Sequence, residues 1–421
     1  MGFDTSRIFE EVGQARQKGP PQDDAMPKIE AMASGPAAAG FSPSPQQMQQ
    51  MRELVGKAQA ALLDHYRRTA HTQDAADRMA PEEAAEVRAR VERILAQTRD
   101  LSDLDFTGAD LSNMDLRNAR WHRALLECAD FTGSVLDGGD MQGAVLARAS
   151  LHGTSMREVN FAQANLALVR CSDADFSGAR FENTLVESFT AERCDFSAVA
   201  MDDIDFTEAT LSECNFKGAR LSVVNFDEDS VLRGLRFTDA VLHKVAWIES
   251  TVSDLRFQGA ELDTCDWTET DCSDRVDFSD ARLHSTCFVD ESHLCGANFQ
   301  GAVLTDCNLQ QIELDGADFR DARLDNTDFS DASMRGAKLA GANADGAAFV
   351  RTDLTGASLV DASLIDADLR KSILVAADFH RANLFQADLS QCLIDATTRF
   401  DEAYTEQVIT TPRRKAPEAA S

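Results

Sequence analysis

An apolar residue occupies every fifth position from Leu101 to Phe226: Leu101, Phe106, Leu111, Leu116, Trp121, Leu126, Phe131 and onward to Phe216, Leu221 and Phe226. Five residues along an α-helix turn the side chain about 140° past its predecessor, so such a series would spiral round a helix and bury nothing. A continuous strand fails as well, because alternate side chains face opposite ways and an odd period sends every second one into water. What remains is a short extended piece and a corner in each repeat, winding about an axis with each ladder residue inward. The pattern predicts a solenoid.

Two positions before the ladder residue sits a small one, as at Ala109, Ala119, Ala124, Ala144, Ala317, Ala322, Ala357 and Ala387. Residues two apart share a strand face, so both point inside. Asp or Asn often lies between them, and Gly often follows two after the ladder residue (Gly108, Gly133, Gly178, Gly259, Gly316, Gly336, Gly356). Both suit corners, Gly through its backbone freedom and Asp by bonding nearby amides. The ladder slips by one residue three times, between Phe226 and Leu232, Cys272 and Phe278, and Phe288 and Leu294, then runs on to Ile394. Aromatics recur at every second repeat, through Phe196, Phe206, Phe216, Phe226, Phe237, Trp247, Phe257, Trp267, Phe278, Phe288 and Phe299. Stacking alternate repeats on themselves needs an even number of sides, and four is the smallest that encloses a core. The gaps in the aromatic series coincide with the slips, so each extra residue is expected to bulge out, at 227–231, 273–277 and 289–293.

The tandem motif seen in Ala109-Asp110-Leu111, Ala174-Asp175-Phe176, Ala317-Asp318-Phe319, Ala367-Asp368-Leu369 and Ala387-Asp388-Leu389 resembles the pentapeptide-repeat family. The resemblance implies an all-β solenoid, a right-handed quadrilateral β-helix with about twenty residues per coil; at about 4.8 Å between coils, some fifteen coils form a rod on the order of 70 Å long.

Around this core the chain divides into a flexible N-terminal segment (1–44), a helical hairpin or cap (45–98), the β-helix (99–400) and a C-terminal tail (401–421). Phe3, Ile8, Phe9 and Val12 give the first segment a candidate docking peptide, followed by a linker rich in Pro, Gly, Ala and Gln. Ser44 followed by Pro45 is a helix start, and Met48, Met51, Val55, Ala58, Leu62 and Tyr66 mark one face of a helix ending near residue 72. Pro81, Glu82 and Glu83 open a second helix with Val87, Val91, Ile94 and Leu95 as its stripe. The pair is expected to pack on the open first coil near Leu101, shielding its edge. Past Ile394, Phe400, Tyr404, Val408 and Ile409 are expected to fold over the last coil as a small cap.

A formal net charge of -30 disfavours direct binding to nucleic acid, which depends on cationic neutralisation of phosphates, and favours basic or protein partners. The densest acidic run, Glu261, Asp263, Asp266, Glu269, Asp271, Asp274, Asp277 and Asp280, is a candidate protein-docking patch. It lacks the spacing of a calcium loop, so no metal is expected there. Of ten cysteines, Cys171, Cys194, Cys214, Cys265, Cys272, Cys307 and Cys392 fall on inward positions, and no C-x-x-C pair exists. Thiols placed in a core, with neither a signal core nor a membrane-spanning run, point to the cytoplasm. The histidines of the repeats (His122, His152, His243, His284, His293, His380) flank ladder positions and face outward without a catalytic constellation. No phosphate-binding, dinucleotide or nucleophile-elbow motif appears, and a filled core leaves little room for a substrate. The chain therefore reads as a non-enzymatic scaffold or adaptor for unidentified protein partners, with no cofactor and an open oligomeric state.

Two further resemblances sharpen this. The helix Glu82–Gln97 followed by Leu101-Ser102-Asp103-Leu104-Asp105-Phe106 is similar to the helix-to-repeat junctions of pentapeptide-repeat proteins associated with bacterial type VI secretion, which implies an accessory role in effector loading. Other family members mimic duplex DNA on gyrase, which implies topoisomerase inhibition or protection as the alternative.

Overall fold

The computed structural model describes residues 18–21, 27, 44–227, 229–270, 272, 275–289 and 292–411. The candidate docking residues Phe3, Ile8, Phe9 and Val12 lie outside them, as do Asp271 and Asp274. Two compact units are present, one comprising residues up to Cys171 together with Asn183–Val186, the other Ser172–Glu182 and everything from Glu187.

In the first unit the five-residue period becomes a four-sided coil. Asp105 bridges Leu125, Asp110 bridges Asp130, Asp115 bridges Val135 and Arg120 bridges Asp140, all parallel, so four sides are spent in twenty residues. Each corner is a turn such as Phe106–Ala109, closed by the Ala109 N–H on the Phe106 carbonyl at 3.0 Å, with Gly108 in the left-handed region at φ 71°. This is the type II geometry that favours Gly or Asn at the third place, and Asn113 and Asn118 fill it on the next two corners. Ladder residues and their small companions are alike buried: Leu101, Phe106, Leu111, Trp121 and Ala119 are fully enclosed. The Asp between them bonds its own corner, Asp105 Oδ1 accepting from the Thr107 N–H at 2.9 Å and Asp110 Oδ1 from Ser112 at 3.0 Å.

Two helices precede the coil. α1 (Pro45–Thr69) starts with a capping box, in which the Ser44 hydroxyl accepts from the Gln47 N–H and Gln47 Oε1 accepts from the Ser44 N–H. A short 3-10 turn, Ala70–Thr72, ends it. α2 (Pro81–Gln97) begins with Pro81 and the acidic pair Glu82 and Glu83; Val91 is fully buried and Val87, Ile94 and Leu95 are half-buried. Arg88 at its middle donates to the Ser112 carbonyl (2.8 Å) and Arg99 just beyond it to the Arg117 carbonyl. On later windings the equivalent carbonyls of Thr132 and Asp137 accept from the amides of Asn113 and Asn118, so two guanidiniums stand in for the coil that the first winding lacks.

In the second unit the same winding carries regular parallel strands. The longest are β1 (Ala200–Thr207), β2 (Arg220–Asp227) and β3 (Val241–Ile248), each bending through a corner without losing its pairing. They occur where Ile204, Val224 and Val245 replace Ala at the second inward position; β-branched side chains favour extended backbone. The expectation of about fifteen coils counts sequence periods: regular strands account for about eight turns, residues 170–325, and elsewhere single bridges hold each side. Tight corners leave one residue per side in strand geometry.

The aromatic series stacks as its spacing demands. Phe176, Phe196, Phe216, Phe237, Phe257, Phe278, Phe299 and Phe319 form one column with ring centroids 4.7–5.0 Å apart. The first slip changes the register and keeps the rungs. β1 pairs with β2 at an offset of twenty (Phe206 with Phe226), but β2 pairs with β3 at twenty-one (Phe226 with Trp247), and no rung is lost.

The last residues depart from the expected cap. Parallel bridges join Asp378 to Arg399, Asn383 to Tyr404 and Asp388 to Ile409, and Phe400 stacks on Phe379 at 5.0 Å. A fourth slip, near Asp395, therefore carries the solenoid to Ile409, past the expected boundary at residue 400. Leu393 and Ile394 are more than half exposed, and Cys392, expected inside, is half-buried.

Candidate functional site

The outward positions of the first windings are not uniformly polar. Leu125 and Val145, each between two inward residues, and Ala147 just after an inward Leu146 present an apolar strip on one wall of the coil. The last turn of α1 covers it: Tyr66, Ala70 and Leu63 pack with Leu125, Val145 and Ala147. Two helices were expected to cover the open first coil near Leu101; instead the end of α1 lies on the side wall of the next two windings. The wall offers apolar surface where the rim of a coil offers mainly backbone polar groups.

A buried polar clamp fixes this contact. Glu127 and Arg148 stand on the corners beside the strip, and Glu127 is fully buried. The Tyr66 hydroxyl donates to Glu127 Oε2 at 2.5 Å, while Glu127 Oε1 accepts from Arg148 Nη1 (2.9 Å) and the Ala76 N–H (3.3 Å). Burial, followed by the bond to Glu127, holds the Tyr66 phenol far above its ordinary value, so it stays a donor. Arg148 also donates to the carbonyls of Ala70, His71 and Gln73 at 2.7–3.0 Å. Asn165, one winding on, donates to the Arg67 carbonyl at 3.0 Å. The orphan carbonyls that end a helix are thus satisfied by the solenoid wall.

The reading of sequence alone missed Glu127, Arg148, Leu125 and Val145 as a site. Apolar residues at outward positions one winding apart, Leu125 and Val145, were the available signal. Away from the clamp, Leu54 and Leu62 of α1 are exposed, while Met48, Met51, Val55 and Ala58 are half-buried.

Among the described residues of the acidic run, Glu261, Asp266 and Asp277 lie on three different strands of one winding. Glu261 lies in register with Arg282, Asp266 with Cys287 and Asp277 with Arg256. Asp263 bonds His243 Nδ1 at 2.9 Å, and burial raises the Asp266 carboxyl above its ordinary value. Glu269 and Asp280 turn corners in the left-handed conformation. Among the described residues no group of three or more His, Cys, Asp or Glu is placed to hold a metal ion. Core thiols are held protonated by burial, Cys265 pushed up to about 12 and Cys307 to about 11. Among the described residues no helix is long and apolar enough to cross a membrane.

Comparison with known proteins places these features. The family description "Pentapeptide repeats" matches residues 105–143, 124–161, 144–183, 297–336, 332–370 and 362–393, and "Pentapeptide repeat region" matches 189–267. No curated protein matches the chain in sequence. Among solved structures, a trypsin-treated variant of QnrB1, a plasmid-mediated fluoroquinolone resistance protein, is similar at 20% identity and TM-score 0.33, over 41% of this chain and 88% of its own. HetL, a pentapeptide repeat protein involved in heterocyst differentiation regulation in the cyanobacterium Nostoc, is similar at 22% identity and TM-score 0.20, over 62% and 90%. Rfr23 from the cyanobacterium Cyanothece matches at 24% identity and TM-score 0.11, over 28% and 63%.

Proposed function

The chain belongs to the pentapeptide-repeat family, and on that premise we propose that it is a non-enzymatic protein-interaction scaffold whose α1 helix receives the partner. One observation carries the reading. α1 is anchored at its C-terminal turn by Tyr66, Glu127 and Arg148, while Leu54 and Leu62 further up are exposed. An anchored helix with an uncovered apolar ridge suits an amphipathic helix of a partner, whose own ridge would bury both. A core filled by ladder residues supports binding at the surface over catalysis within.

The finer reading is an accessory or effector-loading factor of a bacterial type VI secretion system acting in the cytoplasm, supported by the junction between α2 and the first repeat. The topoisomerase alternative asks for a continuous acidic column, and the register argues against one: Asp175, Asp195 and Asn215 are followed on the same column by Arg236 and Arg256. The test is co-purification of secretion effectors with the full chain and with a Leu54→Glu, Leu62→Glu double variant, using Val223→Glu, Val241→Glu on the solenoid exterior as control. Loss of the effector with the α1 variant alone is expected. Retention by both variants, or no effector with the parent chain, would refute this function.

A further inference from the structure

The chain carries a formal net charge of -30, yet one cleft in its first unit is lined by three arginines and two histidines. It measures about 620 Å³ and lies where the last turn of α1 meets the outer corners of the coil, with Arg67, Arg68, His71, His122 and Arg123 in its lining against the single carboxylate of Asp64. We propose that this cleft binds a small phosphate-like oxyanion.

The charge balance differs from that of the arginines paired one to one along the coil. Along the coil some arginines are matched to an Asp one winding away, as in Arg157 with Asp137, Arg193 with Asp173, Arg351 with Asp331 and Arg381 with Asp361. At the cleft, Arg67 Nη2 and Arg123 Nε approach the same oxygen, Asp103 Oδ1, at 3.3 and 3.2 Å. One carboxylate thus serves two guanidiniums, and that carboxylate is itself well exposed, so its field is screened. Arg68 is matched with Asp64 at 3.2 Å. A positive charge is left over before either histidine is protonated.

Arg67 is the second observation. Its side chain is only 9% exposed, and Nε and Nη1 are buried without an acceptor. Its remaining contacts, through Nη2, are the shared Asp103 and the Arg123 carbonyl at 3.4 Å. Burial and the neighbouring Arg123 both work against the protonated form of Arg67. A buried guanidinium with unmet donors is costly, and the usual remedy is an anion beside it. The helix end does not supply that anion, since its terminal carbonyls are directed to Arg148 and Asn165. An oxyanion seated between Arg67, Arg123 and His122 would complete the set. Its tetrahedral oxygens suit donors arriving from helix and coil at once, and the occupied cleft would tie α1 more firmly to the wall.

The test is calorimetric titration of the full chain with inorganic phosphate and, in a second arm, with phosphoserine, at ionic strength held constant by chloride. Saturable binding with a dissociation constant of roughly 0.1–1 mM is expected in at least one arm. Binding of phosphate alone identifies a free anion as the ligand, and tighter binding of phosphoserine identifies a phosphate carried on a larger molecule. Arg123→Gln and His122→Gln, both outside the buried clamp, should weaken binding, the former by about tenfold, equivalent to about 1.4 kcal/mol. Arg320→Gln, on the second unit, should leave it unchanged. Circular dichroism of each variant without phosphate confirms that the fold is kept. No saturation in either arm, or unaltered binding by Arg123→Gln, would overturn the proposal.

Discussion

Gly108 and Gly316 turn corners with nearly the same backbone angle, φ 71° and 70°, yet only one of them is crowded. A Cβ on Gly108 would sit 2.3 Å from the Asp77 carbonyl oxygen and 3.0 Å from Arg78 Cα, whereas one on Gly316 would meet nothing within 4 Å. Alanine at Gly316 should therefore cost only the left-handed conformation, about 1 kcal/mol. Alanine at Gly108 must also push away the link before α2, breaking the bond from the Met79 N–H to the Gly108 carbonyl (2.9 Å). Denaturant unfolding should show a clearly larger loss for Gly108→Ala, and hydrogen exchange a Met79 amide that has lost its protection. Equal losses would mean that the close approach is not what requires glycine. Glycine at the corners follows from the repeat, but the special duty of Gly108 does not, because Asp77 stands outside the periodic part of the chain.

At the scale of elements, α1 shows how much a helix can announce about itself and how little about its seat. Ser44, Pro45 and Gln47 write its start, and the stripe ending at Tyr66 predicts its buried end. Nothing local says that Glu127 and Arg148 will meet it. Tyr66→Phe leaves a buried carboxylate oxygen without its donor and should cost about 1–3 kcal/mol. Arg148→Ala strips Glu127 of its counter-charge and three carbonyls of their donor, and should cost about 3–5 kcal/mol. Both losses should appear as faster hydrogen exchange in the last turn of α1, greater for Arg148→Ala, while the ladder amides of the second unit stay protected. Unchanged exchange in both variants would show that apolar packing alone holds the helix.

For the whole molecule, the net charge of -30 is built one corner at a time. Three of the aspartates that bond their own turns, Asp110, Asp115 and Asp318, titrate below the ordinary carboxylate range. The Ser112 bonds lower Asp110, the Arg117 pair brings Asp115 to about 2, and the Arg320 pair lowers Asp318. Each binds its proton less readily folded than unfolded, so its contribution is complete above the ordinary range and is lost as pH falls through it. At high ionic strength, where mutual repulsion is screened, the melting temperature should hold steady down to about pH 5 and fall steadily from there to about pH 2. A melting temperature that rises through that window would show that repulsion outweighs the corner bonds. The same dealing-out separates Glu261, Asp266 and Asp277, which pair on different strands of one winding. Charges adjacent in sequence are a quarter-turn apart in space every five residues.

What the sequence determined by itself is the winding: four inward-facing sides, columns of stacked rings, and slips that keep the rungs in register. These follow from short-range geometry repeated many times, so each repeat restates the evidence for the others. What only the tertiary structure decided is where that repetition ends or is interrupted. It seats α1 on the wall at Leu125 and Val145, carries the solenoid to Ile409, and brings Arg67 to Arg123. Each of these joins residues far apart in the chain through a contact made once, and a contact made once leaves no period to read.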